Sequence, residues 1–125
     1  MQTETRMDLA ADTGWTLPNA LQELALCGER EIVAEVLTLF QSDTESRLAV
    51  LRDAVGSGDR HEARAQAHSL KGSALQVGAN ALAESCREME MTAETCPDLL
   101  RLLGEIERRF AMVSESISRE YGAVQ

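Results

Sequence analysis

Apolar residues along this chain recur three and four positions apart, the spacing at which an α-helix returns to one face. The longest stripe is Val33, Val36, Phe40, Leu48, Leu51 and Val55, which predicts a helix from about Glu31 to Val55. Gly56-Ser57-Gly58 breaks that pattern, and Asp59 is a suitable N-cap for the next segment. That segment, about Arg60 to Val77, turns Ala63, Ala67, Leu70, Ala74 and Val77 inward and stops at Gly78. Asn80 is the expected cap of a further helix reaching about Thr92, with Leu82, Cys86 and Met89 as its buried series. The last helix begins near Pro97-Asp98 and carries Leu99, Leu102, Ile106, Phe110, Val113 and Ile117 in heptad-like order, with Tyr121 closing the stripe. Upstream, a short helix starts near Pro18, sets Leu17, Leu21 and Leu24 on one side, and ends at Gly28. Residues 1–15 are polar and mixed and read as a loose leader, from which Trp15 docks back onto the bundle.

Four long amphipathic segments joined by short turns predict an all-α domain over residues 16–125. It is an antiparallel up-down-up-down four-helix bundle with a short additional N-terminal helix. Composition supports this: aromatic residues make up only 3% of the chain, whereas strands favour β-branched and aromatic side chains. A length of 125 residues suits one domain with a real core and little spare chain.

Charge narrows the function. A formal net charge of -9 is the opposite of what a nucleic-acid binder presents to a phosphate backbone. No apolar run approaches bilayer length, and the N-terminus has no signal-peptide core. A cytoplasmic protein is expected, with no membrane partner. Cys27, Cys86 and Cys96 form no C-x-x-C pair and have no histidine at ligand spacing, so buried free thiols are expected, with no metal site.

The chemistry concentrates on the segment from Arg60 to Val77. His68, Lys71 and Gly72 stand three and four residues apart, and at 100° per residue His61, Arg64, His68, Lys71, Gly72 and Leu75 share a face beside the apolar one. Neutral imidazole, with an ordinary pKa of about 6.5, is a competent nucleophile near neutral pH. Phosphorylation of a ring nitrogen gives a phosphoramidate that passes readily to a carboxylate. Lys71 would offset the phosphoryl charge, Gly72 would leave room for an approaching active site, and Leu75 would add an apolar contact. Arg64 and Arg87 would supply a charged rim, and Glu90 on the neighbouring helix is the candidate to orient the second ring nitrogen.

Plainer readings stand beside these. A lone surface histidine is ordinarily a solvated side chain, and His61 is read that way. Met89 and Met91 read as core and surface respectively. Gly72 resists such a reading, because glycine inside a helix costs about 1 kcal/mol relative to alanine. Partner access and close helix packing are the two compensations available.

The run Ala67-His68-Ser69-Leu70-Lys71-Gly72-Ser73-Ala74, followed by Val77-Gly78-Ala79, resembles the signature of histidine-containing phosphotransfer (HPt) domains. The likeness continues through Leu82 to Glu90, and upstream through Leu39-Phe40, Arg47-Leu48, Leu51 and Gly58-Asp59, covering about residues 17–121. The resemblance implies that His68 accepts a phosphoryl group from the phospho-aspartate of a receiver domain and passes it to another receiver. Lys71 and Gly72 then assist charge neutralisation and access, and Glu90 contacts the ring. It implies response-regulator receivers and a hybrid sensor histidine kinase as partners, action as a monomer, and no cofactor, magnesium belonging to the receiver. It also implies no ATP site and no autokinase activity; Gly56-Ser57-Gly58 is only a helix–helix turn, and no glycine-rich loop follows a strand. The alternative is an HPt-like adaptor that binds or sequesters a signalling partner through the same face without obligatory transfer. An enzyme using His68 as general acid or base is disfavoured, since a packed bundle offers no enclosed pocket.

Overall fold

The computed structural model of the protein describes residues 15–92 and 94–122. Among the described residues five helices follow in order: α1 (Asn19–Leu26), α2 (Arg30–Ser57), α3 (Arg60–Gln76), α4 (Asn80–Thr92) and α5 (Cys96–Tyr121). Helices α2 to α5 form a closed ring in which each packs against its chain neighbours and α2 meets α5, while α1 lies against α2. Directions follow from the cross-links. Arg30, Gln41 and Arg52 ascend α2 while their partners Glu120, Ser114 and Glu107 descend α5, so these two helices run antiparallel.

The core is built from the stripes. Every inward residue expected of α3, α4 and α5 is buried, from Ala63 to Tyr121, and Phe40 meets Phe110 edge-on at 6.1 Å between centroids. In α2 the phase differs by one residue at one point. Leu37, not Val36, is fully buried, because position 37 lies in line with Val33 and Phe40 at 3.6 residues per turn; Val36 is exposed. The buried row also passes through Thr44, whose hydroxyl finds no hydrogen-bond partner among the described residues and whose polarity hid it from the pattern. Likewise Leu24 of α1 is exposed, and Leu17, Leu21 and Ala25 make the contact with the core.

Ends of helices carry the other corrections. Gly56 and Ser57 remain inside α2, and only Gly58, with φ of 76°, closes it. Asp59 caps α3 as expected, its side chain accepting from Glu62 N at 3.1 Å. Asn80 is the first residue of α4 and not its cap, the preceding carbonyl of Ala79 receiving the N–H of Ala83 at 3.0 Å. Of the three thiols only Cys86 is buried; Cys27 and Cys96 lie at helix ends, off any inward stripe, and are exposed.

Trp15 closes the bundle where α3 turns into α4. Its ring is buried, its indole N–H donates to Val77 O at 2.9 Å, and Thr16 N donates to Gly78 O at 3.0 Å. Gly78 has φ of 80°, and a Cβ there would stand 1.8 Å from Thr16 O, so the close approach demands glycine. Of the leader expected over residues 1–15, positions 1–14 lie outside the described residues.

Candidate functional site

The inward face of helix α3 is mostly single methyl groups: Ala63, Ala67 and Ala74 are all fully buried. Small contact residues let helix axes approach closely, and α3 and α4 share the most extensive packing in the molecule. That proximity allows side chains on the outer edge of α3 to reach across to α4.

They converge on Glu90. His68 Nδ1 lies 2.6 Å from Glu90 Oε2, and Lys71 Nζ donates to Oε1 of the same carboxylate at 2.8 Å. Arg64 Nε donates to the Glu90 backbone carbonyl at 2.7 Å. The Glu90 carbonyl falls in the last turn of α4, where carbonyls lack intrahelical partners, so Arg64 also completes that helix end. Exposure separates the partners: 67% of the His68 side chain is accessible, against 26% for Lys71 and 25% for Glu90. The ring is thus held from behind by a largely covered carboxylate while its outer edge faces solvent.

The hydrogen bond from Lys71 pulls the Glu90 carboxyl below its ordinary 4.5, the bond from His68 adds to that effect, and partial burial opposes both. Glu90 is therefore an anion at neutral pH and can only accept. A neutral His68 ring must then carry its proton on Nδ1, leaving the Nε2 lone pair outward. Below this cluster, burial and the nearby Glu90 charge push the Cys86 thiol up to about 12, with Lys71 acting in the other direction.

The remaining residues divide by position along α3. Gly72 is exposed, and a Cβ there would meet no atom within 4 Å, which removes close packing as the reason for glycine. Leu75 is 54% exposed. Toward the N-terminus of α3, a depression of about 750 Å³ is lined by Arg60, His61, Arg64, Ala65, His68, Ser69 and Glu90. One side of His68 is therefore bare and apolar, and the other is cationic. Arg87 is exposed and pairs with Glu84 at 3.5 Å, so its ion pair runs along α4 instead of to the His68 cluster. Lys71 gains a role that spacing alone did not assign, as a second anchor for Glu90. Arg60 lines the depression without having been singled out, beside His61, which was read as a solvated side chain; the spacing Arg60, Arg64, His68 was the available signal.

Among the described residues no group of three His, Cys, Asp or Glu is placed to hold a metal ion, and no helix is long and apolar enough to cross a membrane.

The described residues thus form a helical bundle that holds an exposed histidine against a carboxylate, with the outer edge of the ring facing solvent. The family model described as the Hpt domain matches residues 35–115, and the chain belongs to that family. It is similar to the crystal structure of histidine-containing phosphotransfer protein B (HptB) from Pseudomonas aeruginosa PAO1, with 29% identity and a TM-score of 0.73, covering 87% of this chain and 96% of that one. No curated protein matches the chain. Membership of the family gives the chain a phosphotransfer-related role in two-component signalling; Hpt domains are intermediates that work with receiver domains and kinases, and are not kinases themselves.

Proposed function

We propose that this protein is a cytoplasmic phosphorelay intermediate that takes a phosphoryl group from one receiver's phospho-aspartate onto His68 Nε2 and delivers it to a second receiver. The observation that carries this reading is the 2.6 Å contact between His68 Nδ1 and an ionised Glu90, which leaves Nε2 as the outward nucleophile. In the forward step the Nε2 lone pair forms the N–P bond as the aspartyl O–P bond breaks, its electron pair staying on the aspartate. The ring becomes positive as this happens, and the Glu90 carboxylate stabilises that charge through Nδ1–H. In the return step the same proton on Nδ1 makes the ring a good leaving group.

Lys71 supports the reaction by holding Glu90 and by adding positive charge beside the reacting face. The bare surface at Gly72 and Leu75 gives a receiver room to bring its aspartate in line with Nε2. Magnesium, where the transfer uses it, is assigned to the receiver.

Incubation with a phosphorylated cognate receiver tests the proposal. His68 takes up acid-labile label, and His68→Gln abolishes it while leaving helicity intact. A variant that keeps the label refutes the assignment. Full biological output and partner binding from unlabelled His68→Gln protein select the adaptor reading instead.

A further inference from the structure

A phosphoryl group on His68 brings two negative charges to a ring already touching a carboxylate, on a protein of net charge -9. Something must offset that repulsion within a few ångströms. Lys71 is half-buried and already donates to Glu90 Oε1. The other cations at the ring are those of the depression on its N-terminal side.

We propose that Arg64, backed by Arg60 and His61, forms a seat for the non-bridging oxygens of the phosphoryl group carried by His68. This rests on the relay reading above and adds to it a specific oxyanion-binding residue. Three observations converge on Arg64. It lies one turn before His68, and helical side chains lean toward the N-terminus, so the histidine ring covers the turn that contains Arg64. Both side chains are fixed to the same residue, the ring to the Glu90 carboxylate and Arg64 Nε to the Glu90 carbonyl. That single anchor leaves the two Nη groups uncommitted among the described residues, at the wall of the depression that His68 also lines. A guanidinium fixed at Nε presents a fork that matches two phosphoryl oxygens.

Arg60 repeats the arrangement one turn further away. It donates through Nη1 to the Glu94 carbonyl just beyond α4, and so continues the cationic wall. Spacing of 60, 64 and 68 along one face makes a graded site: Arg64 in direct contact, Arg60 and His61 acting at longer range.

The test needs no receiver. Phosphoramidate transfers its phosphoryl group to the histidine ring: the Nε2–P bond forms, the donor's P–N bond breaks, and the departing nitrogen takes a proton from solvent and leaves as ammonia. The 31P resonance of the labelled protein is then followed against pH. An adjacent cation favours the fully ionised phosphoryl group, so Arg64→Ala raises the titration midpoint by roughly half a pH unit or more. Arg64→Gln gives the same shift while retaining a donor for the Glu90 carbonyl, which separates charge from helix capping; Arg64→Lys restores most of the wild-type midpoint. Arg60→Ala shifts it less, and Arg87→Ala leaves it unchanged. Label on His68 with the same midpoint in wild type and Arg64→Gln overturns this inference alone. Failure of wild-type His68 to take up any label, from phosphoramidate or from a receiver, overturns the relay reading and this inference with it.

Discussion

The carboxylate of Glu90 and the ring of His68 meet at 2.6 Å across the α3–α4 interface, and the ionised carboxylate dictates which ring nitrogen holds the proton. This contact makes the tautomer of an exposed side chain a property of the bundle. In the isolated protein, long-range 1H–15N NMR is expected to find the neutral ring protonated at Nδ1. Glu90→Ala lets the two tautomers mix and slows transfer by about tenfold, the loss of roughly 1.4 kcal/mol of charge stabilisation. An unchanged tautomer ratio in that variant removes Glu90 from the mechanism.

Acid should weaken the fold through the same residue. Glu90 and Glu105 both have folded-state values below their ordinary 4.5, held down first by hydrogen bonds from Lys71 and from Arg108 respectively. A depressed carboxylate contributes stability that is complete above its unfolded value and disappears as pH falls through the folded one. Urea unfolding is therefore expected to show stability level near neutrality and falling below about pH 4.5, with a smaller fall in a Glu90→Gln/Glu105→Gln variant. Identical pH profiles for the two proteins contradict the assignment.

Gly72 and Gly104 make a matched pair. Both lie inside helices, and a Cβ at either would meet no atom within 4 Å. Alanine at each position should stabilise the protein by up to about 1 kcal/mol, seen as a higher melting temperature. Function separates them: a bulky residue at position 72 slows transfer from a receiver severely, whereas Gly104 variants transfer normally. Equal transfer from both sets of variants leaves Gly72 without a role in access.

Thiol chemistry reports on the core beneath the site. Alkylation with iodoacetamide at neutral pH is expected to label Cys27 and Cys96 within minutes and to spare Cys86, whose thiol is buried and raised to about 12. Mass spectrometry of tryptic fragments reads this directly. Labelling of Cys86 at a comparable rate means that α4 opens far more readily than its packing implies.

Most of the architecture was legible because helices in this chain follow their own periodicity. Every residue expected inward on α3, α4 and α5 is buried, and the residues the pattern passed over there are Ala83 and the polar Ser85 and Ser116. The misreadings arose where local signals are weak. Val36 and Leu37 are equally apolar, and only the phase of the packed helix separates them. Thr44 sits in the buried row as a polar residue, and the glycine at 56 does not break a helix whose neighbours are held by tertiary packing.

The site divides in the same way. Spacing alone determined that His68, Lys71, Gly72 and Arg64 share a helical face, because a fixed 100° per residue places them there. Only the tertiary structure decided what they do together. The packing of α3 against α4 sets the register between them, and that register puts one residue, Glu90, against His68, Lys71 and Arg64 at once. No period along a single helix encodes a contact between two helices.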